Sequence, residues 1–178
     1  MFIEGKKINL RQLKKSDDKA LFNHANDHLI CRYTTIPYPY TLKIAKVFIE
    51  KTRKKIRAGE SYELGITAKD NDEIIGMAGL RIINKKAKVA EMGYWLGRKY
   101  WGQGIVSEAA ALMLDFGFKK LKLNRVFARA MKPNIGSARV LKKNGFKSEG
   151  ILRRHEYKMG KIYDVLQFGI LKEEHKRK

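Results

Sequence analysis

The chain has one cysteine, three prolines and only 18 acidic residues against 39 lysines and arginines. Each scarcity excludes something. A lone Cys31 cannot close an intramolecular disulfide, which rules out a disulfide framework and suits a reducing compartment. Its neighbours Ile30 and Arg32 form no CxxC pair, so no redox or cysteine-based metal motif is present. Two prolines, Pro37 and Pro39, sit in one loop and Pro133 stands alone, which excludes a proline-rich linker; no repeat or low-complexity tract appears. No apolar run approaches the ~20 residues needed to span a bilayer. The opening Met1-Phe2-Ile3-Glu4-Gly5 turns charged at once, with no signal-peptide core or cleavage site. A cytoplasmic protein without membrane association is expected.

The acid deficit leaves a formal charge of +21, a field that attracts polyanions and repels polycations. It is either a solvated basic surface or one that meets an RNA partner such as the ribosome. No RNP, KH, zinc or helix-turn-helix signature accompanies it. His24 and His28 are spaced i, i+4 on an expected helix, but no third ligand follows at a sensible spacing, so no metal is expected. At 178 residues with 44% apolar content, the chain suits a single domain, 1–178, with a charged and frayed tail at 172–178.

Along the chain, the alternation in Lys7 to Leu13 predicts a strand, and Ser16 and Asp17 cap a helix running to Leu29. An aromatic loop from Ile30 to Tyr40 follows. Thr41 caps a second helix to Ala58 that faces inward through Ile44, Val47, Phe48 and Ile56, and Gly59 ends it. Tyr62–Ala68 and Glu73–Asn84 predict a hairpin, and Lys88–Gly97 a third strand. Then come a helix from Ile105 to Leu121, a strand Arg125–Ala130, a short helix Asn134–Lys143 and strands Phe146–Arg153 and Lys161–Leu171. The order predicts an α/β protein, of α+β type, with a mixed sheet of about seven strands and helices on both faces.

Chemistry concentrates in Tyr94–Ala109, YWLGRKYWGQGIVSEA, where a strand breaks into a glycine-bearing turn before a helix. The N–H groups of Gly102, Gln103, Gly104, Ile105 and Val106, backed by the helix N-terminus, form a nest suited to phosphate oxygens. The pattern is neither a dinucleotide GxGxxG nor a P-loop; read alone, a GxG is equally a turn with no ligand. Ser107 either adds a hydroxyl to that nest or caps the helix. A second segment holds Asn134, Ser137 and Leu141-Lys-Lys-Asn-Gly-Phe146. Asn134 reads as an N-cap and Gly145 as a helix terminator, while Ser137 lacks a structural reason.

Together these segments resemble the pyrophosphate turn and the N-x-x-S…L-x-K-x-G-F segment of the GNAT superfamily of N-acetyltransferases. Trp101 stands at the first place of the turn pattern, Gly104 at its glycine, and Val106 where a small residue is usual. The Trp-Gly-x-Gly context before Ser107-Glu-Ala, and the close Gly150-Ile-Leu-Arg-Arg-His-Glu156-Tyr-Lys-Met-Gly160 to Asp164-Val165, are similar to the ribosomal-protein alanine N-acetyltransferase branch (RimJ/RimL type). That resemblance implies a mostly antiparallel sheet and acetyl-CoA as co-substrate, with Tyr94, Trp95 and Leu96 along its pantetheine, Asn134 beside it and Ser137 at its thiol. It implies Glu156 as the base, with Glu91 the competitor; by local physics Glu156 equally reads as an ion-pair partner of Arg153 or Arg154. The implied acceptor is a protein or peptide N-terminus, such as that of a ribosomal protein. An amino acid, polyamine or aminoglycoside, or an RNA-binding protein with a vestigial acetyltransferase fold, are the other readings. Trp95, Trp101 and Phe146 read as core or cofactor-wall packing.

Overall fold

The computed structural model describes residues 1–175. In chain order the elements are β1 (Phe2–Glu4), β2 (Ile8–Arg11), α1 (Asp18–Ala25), α2 (His28–Arg32), α3 (Leu42–Arg57), β3 (Ser61–Ala68), β4 (Ile74–Asn84) and β5 (Val89–Leu96). After them come α4 (Ile105–Asp115), β6 (Arg125–Met131), α5 (Ile135–Lys143), β7 (Lys147–Lys158) and β8 (Lys161–Leu171). The strands form one sheet in the order β1-β2-β3-β4-β5-β6-β8-β7. Every pairing is antiparallel except β5 with β6.

Two apolar clusters cover the sheet. The larger sets Leu10, Leu64, Ile66, Ala78, Leu80, Met92, Ala128 and Phe168 against α4 and α5. The smaller sets Leu13, Ile74 and Met77 against α1 and α3. β4 is buried along Ile74–Leu80 because helices cover both its faces there, which is why it reads as a continuous apolar run. Farther along the sheet no helix covers the α1/α3 side, and Arg81, Glu91, Phe127, Arg129 and Gln167 line an open depression of about 470 Å3.

The sheet has eight strands where about seven were expected, because Phe2–Glu4 folds back on β2. Three residues carry too little alternation to be seen; their place is set by the Gly5 N–H bonding Ile8 O at 3.0 Å and by Glu108 accepting from the Lys7 N–H at 3.0 Å. The helix expected to reach Leu29 breaks at Asn26, whose side chain accepts the Tyr40 N–H at 3.0 Å. Asp27 then caps α2 through the Leu29 N–H at 2.8 Å, so His24 and His28 lie on different helices and share no face. Thr41 caps α3 as expected, and Ile44, Phe48 and Ile56 pack inward beside the fully buried Ala45, Ile49 and Thr52, but Val47 faces solvent. The helix expected to continue to Leu121 ends at Asp115 and widens into a π turn over Phe116–Lys120. The start of the tail is ordered: Lys172–Glu174 is a 3-10 turn, Glu174 pairs with Lys147, and His175 meets Asp115 at 2.7 Å. Residues 176–178 of the expected frayed tail lie outside the described residues.

Ser16 and Asp17 do not cap α1 through their side chains. Asp17 is instead buried against Arg11, at 2.8 and 3.0 Å, and accepts the Lys14 N–H at 2.6 Å. Arg11 also donates to the Asp72 side chain and carbonyl, at 2.8 and 2.9 Å, tying β2 to the β3–β4 turn. Removing one partner of a buried ion pair strands the other charge. Arg11→Met should therefore lower unfolding stability by ~3 kcal/mol, measured by urea denaturation. Lys14→Ala, which loses only an exposed pair with Asp72, should change it by less than ~1 kcal/mol.

Candidate active site

β5 delivers the chain to a 3-10 turn at Arg98–Tyr100 and then to Trp101, Gly102, Gln103 and Gly104 before α4 begins. Gly102 and Gly104 both hold φ of +77°, a left-handed backbone that disfavours side chains, and open space surrounds the position of a Cβ at each. Gly104 is the N-cap of α4 and supplies no side-chain acceptor. Among the described residues no backbone acceptor within the chain meets the N–H groups of Gly102 through Ser107. Several orphan donors thus converge at the positive end of a helix, a geometry suited to an anion. The Ile105 side chain is buried in the core and that of Val106 packs at its edge, so both offer the turn their backbone alone.

Two neighbours of the turn could not be read from the sequence. The Lys7 ammonium donates to Gln103 O at 3.1 Å, bringing a cation from the β1–β2 connection to the turn. Glu108, in the first helical turn, is occupied by the Lys6 and Lys7 N–H groups. Trp101, expected in the core or a cofactor wall, is 48% exposed and its indole N–H donates to Leu96 O at 2.8 Å, closing the turn against the end of β5. Ser107 does not cap α4: its hydroxyl receives the Asn144 side-chain N–H at 3.4 Å, a bond between α4 and the end of α5. Phe146 is buried in the larger core, and Trp95 is half-buried against the smaller one.

Where β5 approaches this turn, it parts from β6. Their parallel pairing runs from Val89 with Arg125 to Met92 with Ala128 and stops. Beyond it, Gly93–Leu96 pair only with β4, and Arg129–Met131 only with β8. Backbone groups of Tyr94–Leu96 on the side facing β6 are therefore free of ladder bonds, with Leu96 O taken by the Trp101 indole. Tyr94 reaches across to α5, where its hydroxyl lies 3.0 Å from Ser137 Oγ and donates to Ser137 O at 3.2 Å. Burial, partly offset by the Ser137 hydrogen bond, pushes the Tyr94 hydroxyl up to about 12, so it stays protonated at neutral pH. Asn134 caps α5 as expected, accepting the Ser137 N–H at 3.1 Å. Ser137 is thus held from both sides, by the cap and by a tyrosine whose side chain the sequence had no means to single out.

The two candidate bases occupy different environments. Glu91 faces the open depression on the α1/α3 side, ion-paired to Arg81 and, at 2.9 Å, to Arg129. Burial opposes its ionisation, but the two guanidiniums outweigh that and hold its carboxyl below the ordinary value. Glu156 lies in β7 opposite Tyr163, beyond a register shift that follows Leu152, and is only partly exposed. It has no ion-pair or hydrogen-bond partner among the described residues, so the pairing with Arg153 or Arg154 does not form. Past it, the β7–β8 hairpin reaches the aromatic loop: Lys158 donates to Ile36 O at 2.6 Å, and Tyr163 stacks edge-on with Tyr33.

His24 bonds Glu73 at 3.3 Å and stacks on Tyr100, while His28 stacks on Tyr38. Among the described residues no three His, Cys, Asp or Glu side chains come together as a metal site, and no helix is long and apolar enough to cross a membrane.

Residues 7–147 match the model of the acetyltransferase (GNAT) domain family. An uncharacterized N-acetyltransferase of Bacillus licheniformis is 34% identical over 170 residues, 95% of each chain. A ribosomal-protein-serine acetyltransferase of Escherichia coli is 31% identical over 120 residues, covering 65% of this chain and 66% of its own. Among solved structures, RimL, a ribosomal alpha-N-protein acetyltransferase in complex with coenzyme A, superimposes with a TM-score of 0.89 over 96% of this chain and 98% of its own, at 22% identity. The nest of free amides, the parted strands and these likenesses lead to one conclusion: the chain belongs to the GNAT N-acetyltransferase family.

Proposed function

We propose that the protein transfers the acetyl group of acetyl-CoA to the N-terminal α-amine of a protein, in particular a ribosomal one. The observation that carries the site is the coincidence of two features at the end of β5: an amide nest at Gly102–Ser107 and a parting of β5 from β6. The first suits a pyrophosphate, and the second suits an extended chain with amide groups of its own, so their order matches the order of groups in the co-substrate. Gly102, Gln103, Gly104, Ile105, Val106 and Ser107 hold the phosphates through N–H groups, with Lys7 adding a cation. Tyr94, Trp95 and Leu96 bind the pantetheine amides by backbone. Bound acetyl-CoA supplies the activated carbonyl, and free N–H groups on β5 stabilise charge developing on its oxygen.

Ser137 and Tyr94 form a short relay of hydroxyls. The tyrosine, kept protonated by burial, fixes the serine, whose hydroxyl hydrogen-bonds the departing sulfur. Glu156 takes the proton of the attacking amine, directly or through water, since its carboxylate is free of ion pairs. Glu91 is a weaker candidate: two arginines occupy its oxygens and depress its basicity. Its work is to hold Arg81 and Arg129 in place.

The α-amine is the favoured acceptor on chemical grounds. With a pKa of about 8, roughly a tenth of it is neutral at pH 7, against less than about a thousandth of lysine, so one carboxylate suffices. The charge of +21 disfavours a polycationic acceptor and draws the enzyme to rRNA near ribosomal substrates. The aromatic loop and the β7–β8 hairpin, joined through Lys158 and Tyr163, form a frame for the acceptor chain.

Three measurements test this reading. Gly104→Val places a β-branched residue at a left-handed position and should weaken acetyl-CoA binding at least tenfold by calorimetry; unchanged affinity in a folded protein places the pyrophosphate elsewhere. Glu156→Gln should reduce kcat/KM by ~100-fold, whereas Glu91→Gln should reduce it by less than ~10-fold. The reverse result would transfer the role to Glu91. Peptides with a free N-terminus should be acetylated, and their blocked counterparts and spermidine should not. Faster turnover of spermidine than of every free-N-terminus peptide leaves the acetyltransferase and removes the protein acceptor.

A further inference from the structure

Three segments far apart in sequence meet at the end of the molecule away from the glycine turn. The β4–β5 connection carries Lys85, Lys86 and Lys88; the end of the π turn and its exit carry Lys119, Lys120 and Lys122; and Lys172 follows β8. They are stitched together through Asn124. Its N–H bonds Lys88 O at 2.9 Å, its side chain bonds Ala87 O at 3.3 Å, and its carbonyl accepts the Lys172 N–H at 3.0 Å. All seven lysines are exposed. Among the described residues only Lys119 has a carboxylate partner, Asp115 at 2.9 Å.

Folding does not explain this arrangement. Lysines left close together repel one another, and both Lys88 and Lys122 hold left-handed backbones, with φ of 53° and 55°. Glycine or asparagine fits such positions with less strain, so residues of one charge kept at two strained turns point to a use for that charge. Ammonium groups on flexible stems suit phosphates rather than bases. None of the exposed large apolar or aromatic side chains lies on these three segments. That leaves no platform for stacking unpaired bases, and Ile83, exposed at the end of β4 beside Lys85, is a lone apolar side chain, too little to anchor the chain in a lipid layer.

We propose that this lysine cluster binds the phosphate backbone of double-stranded RNA. β5 and α4 both run between the cluster and the glycine turn, and the eight residues of β5 alone separate them by roughly 25 Å. RNA held at this end leaves the phosphate turn and the strand gap open. The inference gives a location to the ribosome contact proposed above, but its readout is RNA binding, so it stands or falls apart from the identity of the acceptor.

The test is fluorescence anisotropy of a labelled RNA duplex of about 20 base pairs against the full chain at several salt concentrations. Replacing Lys85, Lys86, Lys88, Lys120, Lys122 and Lys172 with Gln should weaken binding at least tenfold near 0.1 M salt and flatten its salt dependence. A second variant removes the same number of charges from the exposed face of α3, with Gln at Lys43, Lys46, Lys51, Lys54, Lys55 and Arg57. It should retain affinity within about threefold. Calorimetric acetyl-CoA binding, unchanged in both, verifies that they fold. Equal loss in the two variants would show that only net charge matters and overturn the assignment. So would binding of the wild type to vesicles of anionic phosphatidylglycerol in preference to RNA at equal salt. Glycine at Lys88 and Lys122 together should raise Tm while weakening RNA binding severalfold; RNA binding undiminished by that change also counts against the proposal.

Discussion

The parallel contact between β5 and β6 holds for four residues on each strand and then fails, and the site is built on that failure. A parallel pair that continued would consume the edge of Tyr94–Leu96 in ladder bonds and leave nothing for a ligand. What ends it is visible on both sides. The Tyr94 side chain reaches toward α5, where Ser137 holds its hydroxyl, and β6 stays with β8 through Met131 before the chain turns at Pro133 into α5. The capped start of α5 then occupies the far side of the gap through Asn134. Because β4 on one flank and β8 on the other remain fully paired, the opening costs the sheet little elsewhere.

The glycine turn depends on the same geometry. β5 carries the chain past the opening, the Trp101 indole closes the turn on the last residue of that strand, and α4 returns along the larger core through Ala109, Ala110 and Met113. Small residues on that face let the helix lie close to the strands. The helix start is therefore fixed by packing, and its orphan N–H groups are presented without side-chain capping. Preorganised donors of this kind need no rearrangement when charge arrives, the condition under which electrostatic stabilisation is most effective.

Charge is distributed unevenly around this frame. Carboxylates are spent where structure needs them: Asp17 on Arg11, Glu91 on Arg81 and Arg129, Glu149 on Arg125, Glu174 on Lys147. Among the described residues Glu156 is left without a partner, and so are most lysines. The two carboxylates that competed for one chemical role are distinguished by their neighbours: Glu91 on β5 lies between Arg81 of β4 and Arg129 of β6, whereas Glu156 has no such partner among the described residues.

Much of this was legible in the sequence because it is local. Hydrogen-bond capping by Thr41 and Asn134, the glycine-bearing turn before α4, and the strands β3 through β5 are properties of short windows, and each appears where the pattern put it. What local patterns could not supply is any feature made by residues distant along the chain. The edge strand Phe2–Glu4 exists only because β2 offers it an unpaired partner, and the break at Asn26 exists only because Tyr40 takes its side chain. The hydroxyl contact of Tyr94 with Ser137, the cation that Lys7 brings to Gln103, and the arginines around Glu91 are likewise tertiary. Sequence by itself determined which backbone could open and which residues carry acid, base or charge. Only the packing of the sheet decided which of those groups meet, since a carboxylate's basicity or a lysine's freedom is set by neighbours that the chain brings from far away.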